Sequence, residues 1–199
     1  MAYINKTAFE ARITNNSRDN LANIAGLYQE SAANADCSAG LLCVRNGQVP
    51  VEGMPAAANV YNENTWYMNA AADTVTANDV IYACNTYDNQ LLSAPNGNQW
   101  FVGMDLLGLG VPAGRYGNFT RINFDNQSVY RFGEGNVTVN TEGDQYFTIE
   151  DGLLISVTSE PSTAGDIYFT LKEYGEGYFT EGTSQSFGYF DLTACVVKA

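Results

Sequence analysis

Residues 145–172 decide the fold class. They read Gln145-Tyr-Phe-Thr-Ile-Glu-Asp-Gly-Leu-Leu-Ile-Ser-Val-Thr-Ser159, a turn rich in Pro, Ser, Thr and Gly, and Asp166-Ile-Tyr-Phe-Thr-Leu-Lys172. Asp151-Gly152 stands between two runs of strand-forming residues, and an Asp-Gly pair readily adopts the positive φ angles of a tight hairpin turn. The stretch therefore predicts a β hairpin that turns at Asp151-Gly152.

Apolar residues alternate on both sides of the second turn. Leu153, Ile155 and Val157 share one predicted face, and Ile167, Phe169 and Leu171 repeat the pattern in the next run. A period of two indicates half-buried antiparallel strands. Strands with one apolar face need a second layer to cover it, so the pattern predicts a sandwich or a barrel.

The rest of the chain repeats this pattern of short strand-forming runs and turns at intervals of about 8–12 residues. We predict an all-β fold, an antiparallel sandwich or barrel of about ten to twelve short strands, in which Asn46-Gly47 forms a turn. The Gly-rich apolar stretch 104–117 is expected to connect two lobes. The further predicted strands are 38–50, 65–68, 80–85, 99–103, 119–124, 128–132, 136–140 and 187–198.

Residues 1–35 have a different composition, dominated by Ala, Asn and Ser. They are predicted to form an N-terminal arm before a β domain at 36–199. Ser17 is a suitable cap for a helix of about 15 residues, which would dock on its own β domain or on a neighbouring subunit. Its apolar positions recur at helical spacing, and the anchors among them are expected to be Leu21, Ile24 and Tyr28, beside Ala25.

The chain carries a net charge of −13, and its acidic excess lies entirely in residues 46–199. Such a surface repels phosphate, so neither nucleic acid nor an anionic membrane is an expected partner. Arg115, Arg121 and Arg131 are a cluster of basic residues in this acidic region. They would either pair with the surplus acids of the chain itself or contact an acidic surface on a partner.

The absence of histidine excludes Ser-His-Asp and Cys-His nucleophilic sites and histidine-bearing metal sites. The four cysteines form no CxxC pair, and no secretory signal is visible, so we expect buried free thiols in a reducing compartment. No metal, no cofactor and no enzymatic activity is predicted. A carboxylate pair of the glycosidase kind stays open in principle; its candidates are Asp144, Glu150, Asp151, Glu173, Glu176 and Glu181.

Two aromatic pairs offer a different function. Trp66-Tyr67 and Trp100-Phe101 could form a stacking platform for sugars, as in a carbohydrate-binding module or a receptor-binding fibre domain. Each pair also sits within an apolar run, which favours a place in the core. The two interpretations are distinguished by whether the rings reach the surface.

The chain as a whole resembles the accessory structural proteins of tailed-phage heads, particularly capsid decoration or cement proteins. The resemblance rests on an N-terminal segment Met1-Ala-Tyr-Ile-Asn-Lys6, a histidine-free β domain rich in glycine and aromatics, and the closing run Phe187-Gly-Tyr-Phe-Asp-Leu-Thr-Ala-Cys-Val-Val-Lys-Ala199. It implies many copies on the capsid surface of a virion made in the cytoplasm of a bacterial host. The partners would be the major capsid protein, copies of itself, or both. Tail-tube and head-completion proteins share much of this style.

Overall fold

The computed structural model describes residues 7–13, 23–52, 61–85, 92–93, 99–100, 110–177 and 187–198. Within them the chain is all-β, as predicted, with fifteen strands and a single 3-10 turn at Glu134–Asn136. No helix in this part of the chain has the length and apolar character needed to cross a membrane.

Seven strands form one sheet, whose spatial order is β1-β10-β15-β14-β12-β13-β11. All neighbours are antiparallel except β11 and β13, which run parallel. The bounds are β1 (Phe9–Ile13), β10 (Val129–Gly133), β11 (Val137–Thr138), β12 (Tyr146–Glu150), β13 (Leu153–Val157), β14 (Ile167–Gly177) and β15 (Phe187–Val196).

A second sheet closes into a five-stranded barrel, because β2 pairs with both β5 and β9. The order round the barrel is β2-β5-β4-β6-β9, and β3 extends it beside β2. The bounds are β2 (Asn23–Glu30), β3 (Ala33–Asn34), β4 (Leu42–Pro50), β5 (Tyr61–Ala70), β6 (Ile81–Cys84) and β9 (Tyr116–Arg121); a separate pair joins β7 (Leu92–Ser93) to β8 (Gln99–Trp100).

The barrel packs against the sheet through β4 and β6. Leu42, Ile81 and Ala83 belong to the core shared with the seven-stranded sheet, whereas Cys43 and Tyr82 point into the barrel. All four residues of β6 are therefore buried. The alternation that marks a half-buried strand is lost where both faces are covered.

The Asp151-Gly152 hairpin is confirmed. Both residues have positive φ, 47° and 78°, and the turn joins β12 to β13. The Gly152 backbone also connects the two sheets, since its N–H donates to Ala71 O and its carbonyl accepts from Leu42 N, both at 2.8 Å. A Cβ at Gly152 would lie 2.8 Å from Leu42 O, so the contact requires glycine.

The predicted apolar face of β13 was wrong. Leu154 and Ser156 point into the core, and Leu153, Ile155 and Val157 lie half-buried on the outer face of the sheet. Apolar residues occupy both faces of this strand, so period alone could not choose between them. Ser156 tolerates burial because its hydroxyl donates to Asp144 at 2.6 Å and accepts from Asn140 N at 2.8 Å.

The helical arm was also wrong. Residues 23–30 form a strand, and so do residues 9–13, each in a different sheet. Ser17 and Leu21 lie outside the described residues. The helical spacing of Ile24, Ala25 and Tyr28 was overridden because β2 closes the barrel between β5 and β9, where its backbone gains two ladders of hydrogen bonds.

Two smaller differences concern β4 and the lobe boundary. Asn46-Gly47 forms no hairpin turn; Gly47 has φ 85° and sits where the β4–β5 register shifts, as in a β-bulge. Residues 104–109 of the predicted connection at 104–117 lie outside the described residues, and residues 110–117 are described. Its described end brings Val111 into the barrel core.

Gly26 should not tolerate a side chain. A Cβ at this position of β2 would lie 2.5 Å from side-chain atoms of both Met68 and Phe119 in the barrel interior. We expect Gly26→Ala to lower the free energy of unfolding by about 1–3 kcal/mol through overpacking. Urea denaturation measures this, with the outward neighbour Ala25→Ser as the control. Equal stability of the two variants would contradict the packing described for the barrel.

Candidate functional site

An aromatic row crosses the barrel on the side away from the seven-stranded sheet. Leu27 of β2 pairs in register with Tyr67 of β5 and with Tyr116 of β9. Their strand neighbours Gly26, Trp66 and Gly117 point inward, so these three side chains point outward. We call Tyr67, Leu27 and Tyr116 the tyrosine face.

The tyrosine face combines a buried centre with an exposed rim. Leu27 is 8% exposed although it lies on the outer surface, and Tyr116 is 52% exposed. Neighbouring strands lie about 4.8 Å apart, so the backbones of the two tyrosines are about 10 Å apart. The row therefore has a buried apolar centre between a half-buried ring at Tyr67 and an exposed ring at Tyr116.

Uncharged residues adjoin this row on the same face. In a chain of net charge −13 a neutral patch is a local exception. Asn69 donates its amide to Gln29 O at 2.9 Å, and its Oδ1 is the one buried side-chain oxygen or nitrogen in the described chain that has no hydrogen-bond partner. The adjoining outward positions are Ala25, Gln29, Thr65, Asn69 and Asn118.

The expected anchors Ile24 and Tyr28 lie on the inner side of the barrel. Tyr28 is 4% exposed in the barrel core, and Ile24 is partly buried against the same core. Burial, followed by the nearby thiols, raises the pKa of the Tyr28 hydroxyl above its ordinary range. The third anchor, Leu21, is outside the described residues.

The three predicted arginines are not brought together. Arg131 is buried on β10 and pairs with Asp191 of β15 through two hydrogen bonds of 2.7 and 2.8 Å. Its guanidinium also lies 3.6 Å from the ring centre of Tyr189, and the hydrogen bonds to Asp191 raise its pKa. Arg115 and Arg121 are exposed and belong to the other half of the molecule.

Arg45 is a candidate that sequence reasoning missed. Its guanidinium lies 4.5 Å from the ring centre of Trp66 and 5.8 Å from that of Tyr82. Trp66 thus points into the barrel with a cation over its ring, so it offers no free platform for a sugar. Tyr67 points outward, the side chain of Trp100 is not described, and Phe101 lies outside the described residues.

Cys37, Cys43 and Cys84 meet inside the barrel as free thiols. The pKa of Cys37 is raised above its ordinary value, first by its hydrogen bond with Cys43, and that of Cys84 first by its hydrogen bond with Cys37. Burial raises the pKa of Cys43. Within the described ranges no three side chains of the metal-binding kinds are grouped to hold an ion.

Several carboxylates of the described chain serve structural contacts. Asp144 accepts from Ser156, and Asp79 accepts from Thr76 N at 2.9 Å. A cleft of about 150 Å³ brings Asp73 and Asp166 to one opening. This volume is well below the range of about 300–1,000 Å³ that is typical of small-molecule pockets.

Removing the carboxylate of Asp191 should cost far more than removing both charges. Asp191→Asn leaves Arg131, whose side chain is 9% exposed, without its ionic partner, and we expect a loss of about 3–5 kcal/mol in unfolding free energy. The double variant Arg131→Met with Asp191→Leu should have an unfolding free energy closer to that of the native chain. Guanidinium denaturation of the three proteins gives the comparison. A single variant as stable as the double one would contradict the burial of this pair.

The three barrel thiols should resist alkylation in the folded chain. They are at most 1% exposed, and their raised pKa values keep them protonated at pH 8. Iodoacetamide followed by peptide mass spectrometry should show them unmodified until denaturant is added. Rapid native labelling of Cys43 or Cys84 would show that the barrel opens.

No protein-family model matches the chain, and no curated protein or solved structure is significantly similar to it.

Proposed function

We propose that this chain is a virion structural protein, of the capsid decoration kind, that acts by adhering to neighbouring protein subunits. The observation that carries the proposal is the tyrosine face, a neutral patch of two tyrosines around Leu27 on an otherwise acidic chain. The cores of protein interfaces are enriched in aromatic residues and depleted of charge. Tyrosine is also among the residues that contribute most to binding energy.

A second surface supports the same function. Leu153, Ile155 and Val157 form a half-buried aliphatic row on the outer face of the seven-stranded sheet. Because β4 and β6 face that sheet, the outward side of β2 and the outer side of the sheet lie on opposite sides of the molecule. A small domain with adhesive surfaces on two sides could bridge adjacent subunits, and repeated weak contacts of this kind add up to strong attachment. The partners proposed are the major capsid protein and further copies of this chain.

The test is whether the protein is a component of virus particles. Mass spectrometry of purified particles of the virus that encodes the chain should find it in many copies. Particles that lack it should recover it from solution, and the paired change Tyr67→Ser and Tyr116→Ser should weaken recovery by about tenfold or more, since two interface aromatics are lost.

Tyr61→Ser is the matched control, because Tyr61 is 43% exposed and lies outside the tyrosine face. Thermal melting must show that all variants remain folded. Absence of the chain from particles would overturn the proposal. If the paired change does not affect rebinding to the particles, the tyrosine face is not the surface that attaches the chain to them.

A carbohydrate-binding or receptor-binding fibre domain is the alternative, and the neutral rim of the tyrosine face favours it. Asn69, Gln29 and Asn118 place amide groups beside two tyrosine rings, and amides together with aromatic rings suit sugar hydroxyls and ring faces. A glycan array should then show binding that Tyr67→Ser or Tyr116→Ser abolishes and Trp66→Phe does not. No bound glycan would leave the protein-adhesion function as the explanation of this surface.

A further inference from the structure

One end of the barrel brings Arg45 onto two aromatic rings and places Arg121 beside one of them by strand register, and the functional surfaces above use neither arginine. Arg45 of β4 covers Trp66 of β5 and lies beside Tyr82 of β6. Arg121 of β9 pairs in register with Tyr82, so its side chain leaves the same face of the sheet. We call Arg45, Trp66, Tyr82 and Arg121 the barrel mouth.

The two arginines are exposed and carry no ionic partner in the described part of the chain. The ion pairs there are Arg12–Glu10 and Arg131–Asp191. A chain with 22 acidic and 9 basic residues offers many internal partners, yet these two guanidinium groups contact none of the described ones within 4 Å. The charge of these two groups is thus not neutralised by an ion pair with any carboxylate of the described residues.

Arg45 is also oriented before any ligand arrives. Contact with the Trp66 ring restricts the position of the Arg45 guanidinium, and its N–H groups can still donate. A guanidinium in this state binds a planar carboxylate through two parallel hydrogen bonds, which are stronger than neutral ones. Trp66 lies under Arg45 and Tyr82 is 5% exposed, so the site offers a ligand its guanidinium N–H groups and not the faces of the aromatic rings.

We infer that the barrel mouth is a binding site for a carboxylate, presented by an acidic segment of a protein partner. The charge of the chain as a whole favours an isolated acidic group over a polyanion, because the surrounding acidic surface repels extended negative charge. The site differs from the tyrosine face in position and in chemistry, and it does not require the proposed virion function.

The test uses the isolated chain of residues 1–199 and the peptide Gly-Asp-Glu-Phe-Gly-Ser, amidated at its C-terminus and labelled at its N-terminus with an uncharged BODIPY dye; its Asn-Gln version then carries no carboxylate and is the neutral control. Fluorescence anisotropy should show binding of the acidic peptide alone, weakened as salt rises. Arg45→Gln and Arg121→Gln should each reduce the affinity by about tenfold. The affinity of Arg45→Lys should lie between those of the native chain and of Arg45→Gln, because lysine keeps the charge but lacks the planar guanidinium over Trp66.

Arg115→Gln is the matched control. It removes the same charge from an exposed arginine outside the barrel mouth, and it should leave the affinity nearly unchanged. Malonate distinguishes a small-molecule carboxylate from one on a protein. If malonate binds with the same dependence on the two arginines and the peptide does not bind, the site is one for a small carboxylate, and the inference of a protein partner is overturned. Failure of both probes, or equal losses in Arg115→Gln and Arg45→Gln, would overturn the site altogether. None of these results depends on whether the chain is found in particles.

Discussion

The segment Leu42–Cys43 of β4 and the whole of β6 are buried on both faces, and the rest of the molecule is arranged around that requirement. Leu42 and Ala83 pair across the two strands and face the seven-stranded sheet, while Cys43 and Tyr82 pair and face the barrel interior. Two cores therefore share one wall. Any polar side chain in this wall would lack water on either side, and that explains why small thiols and apolar residues occupy it.

The shared wall also determines which surfaces remain free. Since β4 and β6 point at the sheet, β2 on the far side of the barrel carries the outward row through Leu27, and the outer side of the sheet carries Ile155 and its neighbours. The hairpin turn at Gly152 holds the two halves together, by hydrogen bonds to Leu42 and Ala71 that only a residue without a side chain permits. A domain built in this way carries the tyrosine face and the aliphatic row of β13 on opposite sides.

Buried polar groups connect the layers at defined points. Asn136 accepts from Ala8 N at 2.9 Å and donates to Ala39 O at 2.8 Å, so one amide joins the segment before β1 to the barrel. Arg131 and Asp191 lie directly opposite each other on β10 and β15. A slip of one residue between these strands would separate the charges and leave both unpaired in a buried place, so the pair opposes incorrect register.

The all-β class, the Asp151-Gly152 turn and the inward face of β14 could be read from local residues, because turn conformation and alternation depend on near neighbours. Tertiary structure alone decided the rest. Residues 23–30 form a strand, in spite of the helical spacing of their apolar residues, because their backbone hydrogen bonds to both β5 and β9 and closes the barrel. Leu154 rather than Leu153 entered the core because the hairpin docks on β4. Arg131 lies on the face opposite to the core residues Tyr130 and Phe132, and it is buried there in an ion pair because Asp191 lies opposite it across some 60 residues of chain. The tyrosine face and the barrel mouth each join residues from at least three distant strands, and no local pattern encodes which strands become neighbours.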